Sequence, residues 1–377
     1  MKNVLITGGA GFIGQRLARS LLNDGFFIRI IDNFSPQIHS TESLPDDLAG
    51  HVDLINADIR NADALKLALN NIDVVVHLAA ETGTGQSMYE INKYFDVNVQ
   101  GTANLLQILQ EIDSVRSIVV ASSRAVYGEG AYFCVDHNKV FPHQRLKEDM
   151  QKGRFEPVCP YCNVDVKAIP TNEYSPFSPM SMYGLTKQTQ EQAVLLYART
   201  KGLNAFGLRF QNVYGPGQSL KNPYTGILAV FSNLARQHKD IEVYEDGLES
   251  RDFVYIDDVV ESIVHSIKYT DAYQGAINVG SGVKTSVHEV AEMVNSFFSG
   301  KGEIKVNGSF RLGDIRHNIA DLTLANNILN FRPKVEFRTG LINFLEWASS
   351  SPVVCSDSYK NSVTELTEKG LMGGRKL

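Results

Sequence analysis

Tyr183 and Lys187 stand four residues apart in Tyr-Gly-Leu-Thr-Lys, and Ser122-Ser123 lie about sixty residues before them. On a helix that spacing puts the phenol and the ammonium on one face. A free tyrosine titrates near ~10, too high for a base at neutral pH. A neighbouring lysine and a positive nicotinamide ring both favour the phenolate, which makes Tyr183 the candidate acid–base and Lys187 its partner. Ser123 can hydrogen-bond the reacting oxygen and orient it toward Tyr183. The redox half of such a site needs a dinucleotide. Thr7-Gly8-Gly9-Ala10-Gly11-Phe12-Ile13-Gly14 follows the apolar run Val4-Leu5-Ile6. A glycine-rich turn between strand and helix lets backbone N–H groups approach a pyrophosphate, so Gly8, Gly11, Phe12, Ile13 and Gly14 are candidates to hold it.

The elements that must position these groups alternate. Strands are predicted at 3–7, 27–32, 52–56, 74–78, 117–121 and 205–210, with helices near 13–24, 62–69, 94–110 and onward from Tyr183. Continuous apolar strands between amphipathic helices imply βαβ units and a parallel sheet covered on both faces. The expected fold is therefore α/β, a Rossmann-type doubly wound sheet with a smaller C-terminal α/β lobe and an inserted segment. Residues 1–212 form the expected NAD-binding domain, interrupted at 129–179 by a stretch rich in Pro, Cys, His and charge. Residues 213–350 form a substrate lobe, with part of 250–280 returning to the first domain. The polar tail 351–377 reads equally as a helix or as partly disordered.

The ends of the strands supply the remaining cofactor candidates. Asp32 lies eighteen residues past Gly14, where a carboxylate can accept hydrogen bonds from ribose hydroxyls and repel a 2′-phosphate, favouring NAD over NADP. Asn33 follows it. Asp58 and Ile59 can flank the adenine, although Asp58 reads also as an ordinary strand-end cap. Leu78, Ala79 and Ala80 are small or apolar enough to let the cofactor pass close.

Net charge is −6, with 43% hydrophobic and 21% charged residues, ordinary for a soluble protein and no reason to expect nucleic acid. No apolar run approaches a membrane span and no signal-peptide succession opens the chain, so the expectation is a cytoplasmic enzyme with no membrane partner. Four cysteines do not suggest a disulfide framework. Cys134-x-x-His137 and Cys159-x-x-Cys162 instead have the spacing of a closed, structural zinc knuckle, with His143 as a spare ligand. The plainer alternative is reduced surface thiols beside a chance histidine.

The chain resembles the extended short-chain dehydrogenase/reductases, in their nucleotide-sugar epimerase/dehydratase branch. The motifs are Ser-Ser-Arg-Ala-Val-Tyr-Gly from Ser122, Asp96-Val97-Asn98-Val99-x-Gly101-Thr102, 209–217, 251–259 and Arg311-Leu312-Gly313-Asp314. The resemblance implies a nucleotide-diphosphate sugar held by Asn212, Arg251 and Arg311, with Thr82, Ser123 and Asp314 also on the substrate and Asn98 beside the cofactor. For Arg311 a surface salt bridge is the alternative. It also implies a homodimer built on the helices at 94–110 and 183–200. Dehydratases of this type carry Asp-Glu directly after the Ser/Thr, and the related decarboxylases keep an acid at the second of those positions. Here the positions are Arg124 and Ala125, which leaves reversible oxidation at one sugar carbon. With the Cys/His insert, 81–87 and 222–226, the chain resembles the dTDP-L-rhamnose 4-epimerases within that branch. UDP-hexose 4-epimerase, nucleotide-sugar 4-ketoreductase and a non-catalytic sugar-nucleotide-binding protein are the alternatives.

Overall fold

The computed structural model describes residues 2–39, 41–222, 226–352 and 357–374; Pro223, Tyr224, Thr225 and the last three residues of the tail lie outside them. The chain opens with β1 (Asn3–Thr7), β2 (Phe27–Asp32), β3 (Asp53–Asn56), β4 (Val74–His77) and β5 (Ser117–Ser123). Val4 and Ile6 of β1 enter one apolar cluster while Leu5 enters another. Val74 and Val76 against Val75, and Val119 and Ala121 against Ile118 and Val120, repeat that division. Alternate side chains leave a strand on opposite faces, so a run apolar at every position requires cover on both sides. The helix Phe12–Asn23 covers one face with Leu17 and Leu21, and Ala62–Ala68 covers the other with Leu65 and Ala68.

After the insert strands β6 (Tyr132–Cys134), β7 (Asn138–Val140) and β8 (Lys167–Ala168), the chain rejoins the sheet with β9 (Asn204–Phe210). It then runs through β10 (Asn212–Tyr214), β11 (Ile241–Val243) and β12 (Ser250–Tyr255) before returning once more with β13 (Gln274–Val279). The large sheet has the order β13-β9-β5-β4-β1-β2-β3, and its pairs are parallel. This is a Rossmann-type doubly wound α/β fold. Strand order reverses between β1 and β4, which opens a crevice at the carboxyl ends of the strands. Thr7 pairs with both Ile31 and His77, and Ser123 pairs with Phe210, so Gly8, Asp32, Leu78 and Ser123 share that edge.

In the smaller lobe β12 lies between β10 and β14 (Lys284–Ser286), and β11 pairs with β15 (Ile304–Val306). β16 (Phe310–Arg311) pairs antiparallel with β17 (Met372–Gly373), so the tail is an ordered part of the fold in its described residues. A helix, Asp357–Glu368, precedes β17. Leu366 lies over Gly85, and Tyr89 donates to Glu365 at 2.9 Å, which seats the tail on the loop after β4. The helix expected at 94–110 begins earlier, at Ile91, and passes through a π-helical turn at Phe95–Gln100 before Gly101–Leu109.

Candidate active site

A cleft of about 400 Å³ follows the carboxyl edge of the sheet. Gly8, Gly11, Phe12, Ile13, Gly14, Asp32, Asn33, Asp58, Ile59, Leu78, Ala79, Ala80, Thr82, Ser123, Tyr183 and Lys187 all line it. Gly8 adopts φ +68°, and a Cβ there would stand 2.8 Å from the Ala79 backbone, so only glycine lets β1 and β4 flank the cleft this closely. The helix from Phe12 has Gly11 at its N-cap and no side-chain cap, which leaves its N–H groups for an anion. Asp32 accepts from the Ala10 and Phe34 backbone at 3.0 and 2.9 Å, which fixes the carboxylate at the cleft wall. Asp58 accepts from Arg60 within its own turn and from Asn33 at 2.9 Å, and it lines the cleft. Gln211 lines the cleft with both amide atoms buried and unpartnered. The donor set, the uncapped helix and this idle amide fit NAD.

Asn98 lies away from the cleft. Its Oδ1 accepts from the Glu81 backbone at 2.7 Å, and its Nδ2 donates to Glu81 O and Thr186 Oγ1. The π-helical turn instead brings Val97 to the cleft, and Asn98 fixes the loop that carries Thr82.

Tyr183 stands at the start of the helix Met182–Lys201, capped by Ser181, which accepts from the Gly184 N–H at 3.1 Å. A Cβ at Gly184 would lie 2.6 Å from Ala125 O. This close approach brings the helix onto the turn after β5 and sets Tyr183 and Ser123 together on the cleft wall. Burial raises the phenol above its ordinary range, against the lowering effect of Ser123 and Arg124. Lys187 donates to Ala121 O at 2.8 Å and to Gln190 Oε1 at 2.9 Å, and burial brings it down to about 7. Behind it His77 is locked between Thr7 and Thr102 at 2.7 and 2.9 Å. Burial first, then Lys187, lowers His77 to about 3, so it is neutral and structural. Ser122 faces the opposite way, bonded to Glu191 at 2.5 Å, as strand alternation requires.

Arg311 and Asp314 line a narrow crevice with Thr84, Ser181 and Leu366. The Arg311 guanidinium lies over the Tyr244 ring at 5.1 Å with Nε buried and unpartnered, so it is no surface salt bridge. Asn212 likewise buries an idle Oδ1. Arg251 is steadied by the Ser250 and Arg316 carbonyls at 2.9 and 3.0 Å. The sequence reading did not select Gln211 or Arg124 as site residues. Gln211 sits inside the 209–217 motif, and Arg124 was visible as the departure after Ser123.

In the insert, Cys134, His137, Cys159 and Cys162 converge, their ligand atoms all within 4.8 Å of one another. Cys134 Sγ is 3.6 Å from Cys162 Sγ, and His137 Nδ1 is 3.7 Å from both Cys134 Sγ and Cys159 Sγ. His143 is not part of the group. Ligands at about 2.3 Å for sulfur and 2.0 Å for nitrogen around a tetrahedral ion stand roughly 3.5–3.8 Å apart. The four side chains fit such an ion.

Residues 4–280 match the NAD dependent epimerase/dehydratase family. The chain belongs to that family. A dTDP-L-rhamnose 4-epimerase of Burkholderia thailandensis is 38% identical over 349 residues, covering 92% of this chain and 94% of that one. A putative UDP-glucose 4-epimerase of Methanocaldococcus jannaschii is 27% identical over 92% of this chain and 99% of its own. Among solved structures, MoeE5 in complex with UDP-glucuronic acid and NAD superposes with a TM-score of 0.74 at 29% identity, over 93% of this chain and 100% of that one. UDP-glucose 4-epimerase of Thermotoga maritima with UDP-glucose gives 0.74 at 26% identity, over 92% and 98%.

Proposed function

We propose that the protein is an NAD-dependent nucleotide-sugar 4-epimerase, acting between dTDP-L-rhamnose and dTDP-6-deoxy-L-talose. The observation that carries the reaction type is Tyr183 beside Ser123 on the wall of the cofactor cleft, with Arg124 and Ala125 in place of acids. Water elimination needs a carboxyl there; proton removal from a C4 hydroxyl needs only the phenolate. Tyr183 takes that proton and later returns it, while Ser123 holds the same oxygen. Lys187, beside the phenol on the cleft wall, is placed to reach ribose hydroxyls and steady Tyr183. Bound NAD supplies the hydride acceptor and donor. Asn212, Arg251 and Arg311 keep the diphosphate fixed while the 4-keto sugar turns over. The choice of sugar and base is supported by the Burkholderia relative. Incubation with dTDP-L-rhamnose without added cofactor is expected to give a product of unchanged mass and altered chromatographic retention; no conversion under those conditions refutes the reading.

The insert is read as a structural zinc site of Cys134, His137, Cys159 and Cys162. Its buried apolar residues fall into two small clusters, Tyr132, Cys134, Val140, Cys159 and Val166 in one and Met150 and Phe155 in the other, little to hold a fifty-residue segment without a cross-link. The backbone at Cys162 and Tyr161 favours the thiolate form of Cys159, the form in which a cysteine binds a metal. We read the assembly as a homodimer: a shallow groove between the helices carrying Leu106 and Ala193, near the exposed Leu185 and Leu196, offers the surface. Cysteines grouped with His137 as metal ligands rather than paired as disulfides support a cytoplasmic location. No helix among the described residues is long and apolar enough to cross a membrane.

A further inference from the structure

We propose that Arg124 binds the sugar-linked phosphate of the nucleotide diphosphate, at the pivot about which the sugar turns. The proposal rests on the nucleotide-sugar reading above. Arg124 opens the 3-10 turn Arg124–Tyr127, directly after Ser123. Its charged neighbours are Arg251, Asp314, Tyr183 and Asp252, drawn from β12, the loop after β16 and the helix from Met182. Among the described residues none hydrogen-bonds its guanidinium, although it is half-buried.

Neither carboxylate hydrogen-bonds it. Asp252 is spent on Ser281, Gly282 and Ala320, each within 3.1 Å. Asp314 is shared with Arg311. Arg124 and Arg251 are thus neighbouring like charges, neither of them hydrogen-bonded to a carboxylate, an arrangement that an incoming anion relieves. Arg251 is held rigid by backbone carbonyls, so the anion must come to it. Because Arg124 also faces Tyr183, the anion it reaches lies at the sugar end of the diphosphate rather than the base end. A guanidinium there grips two phosphate oxygens at once, which a lysine does not.

The same placement makes Arg124 an electrostatic neighbour of the reacting phenol. Acting on Tyr183 are Ser123, at the end of β5, and Arg124, which opens the turn after it; beyond Arg124 come Arg251, Asp252 and Asp314, while Lys187 stands one turn further along the helix of Tyr183 with neutral His77 behind it. Arg124 acts on Tyr183 to favour the phenolate.

The test measures binding of dTDP and dTMP to the NAD-loaded protein by calorimetry, for wild type, Arg124→Met and Arg124→Lys. Retained NAD binding reports folding, since Arg124 does not line that cleft. Arg124→Met is expected to weaken dTDP about 10- to 100-fold and leave dTMP unmoved. It is also expected to move the acid limb of the kcat/KM profile to higher pH, while Arg124→Lys keeps the wild-type limb and recovers only part of the dTDP affinity. Equal loss for dTDP and dTMP, or no loss for dTDP, overturns the assignment; if Arg124→Met does not fold, full dTDP affinity in Arg124→Lys does so. If wild type binds neither dTDP nor UDP, the nucleotide-sugar reading itself falls, and that is seen before any variant is compared.

Discussion

Ser122 and Ser123 are adjacent and chemically identical, yet one supports a buried ion pair and the other meets the reacting phenol. Strand alternation separates them: Ser122 bonds Glu191, which pairs with Arg209, while Ser123 turns to Tyr183. Tyr183→Phe is therefore expected to remove most turnover, on the order of a thousandfold or more, with nucleotide-sugar affinity nearly unchanged, because the lost hydroxyl acts on the transition state. Steady-state kinetics with direct binding checks this; a matching loss of affinity would make Tyr183 a binding group. Asp32 is held at the cleft wall by two backbone N–H groups and cannot swing away from a 2′-phosphate. NAD should bind the apo-protein far more tightly than NADP, and Asp32→Asn should narrow the gap; equal affinities in wild type would remove Asp32 from this role. That these side chains meet at one cleft was legible because their motifs fix both type and spacing. Asn98 was not, because a π-helical turn shifts the face on which it emerges, and no residue type in 95–100 announces that turn.

Among the elements, β4 and the insert carry consequences that can be measured. Burial, with Lys187 adding to it, lowers His77 from its ordinary 6.5 to about 3. Its stabilising contribution is complete above pH 6.5 and is lost as pH falls toward 3, because the unfolded chain binds a proton the fold refuses. The slope is up to about 1.4 kcal/mol per pH unit, or roughly 2 kcal/mol between pH 6.5 and 5. Denaturant titration of wild type and His77→Gln should show the variant's stability varying less across that interval; parallel curves would contradict it. The insert is linked to the substrate side by Arg145, which donates to Glu245 at 2.8 Å and to the Asp314 carbonyl at 2.9 Å, and by Glu129, which accepts from the Arg316 N–H. Metal analysis should find about one zinc per chain. Cys159→Ser with Cys162→Ser should release it and weaken nucleotide-sugar binding through Asp314, while NAD binding survives; a metal-free wild type that takes up no added zinc would contradict the site. The alternation of strands and helices was plain in the sequence because each strand is apolar on both faces. The pairing of β16 with β17 was not, since a two-residue strand in a polar tail has no periodicity to read.

For the whole molecule, the tail covers the crevice of Arg311 and Asp314, where the nucleotide-sugar reading puts the diphosphate. Tyr359 meets Tyr244 hydroxyl to hydroxyl at 2.9 Å beneath the Arg311 guanidinium, and Leu366 and Leu371 line the crevice of Arg311 and Asp314. The account as a whole holds that one site oxidises and re-reduces the same carbon without releasing the ketone or the hydride. The most direct measurement uses dTDP-L-rhamnose carrying deuterium at C4, incubated with the protein as purified and with unlabelled NADH in the medium. The account predicts a C4 epimer that keeps its deuterium at C4 and consumes no NADH. Loss of the label into the medium, or product formed only in step with NADH oxidation, would contradict it.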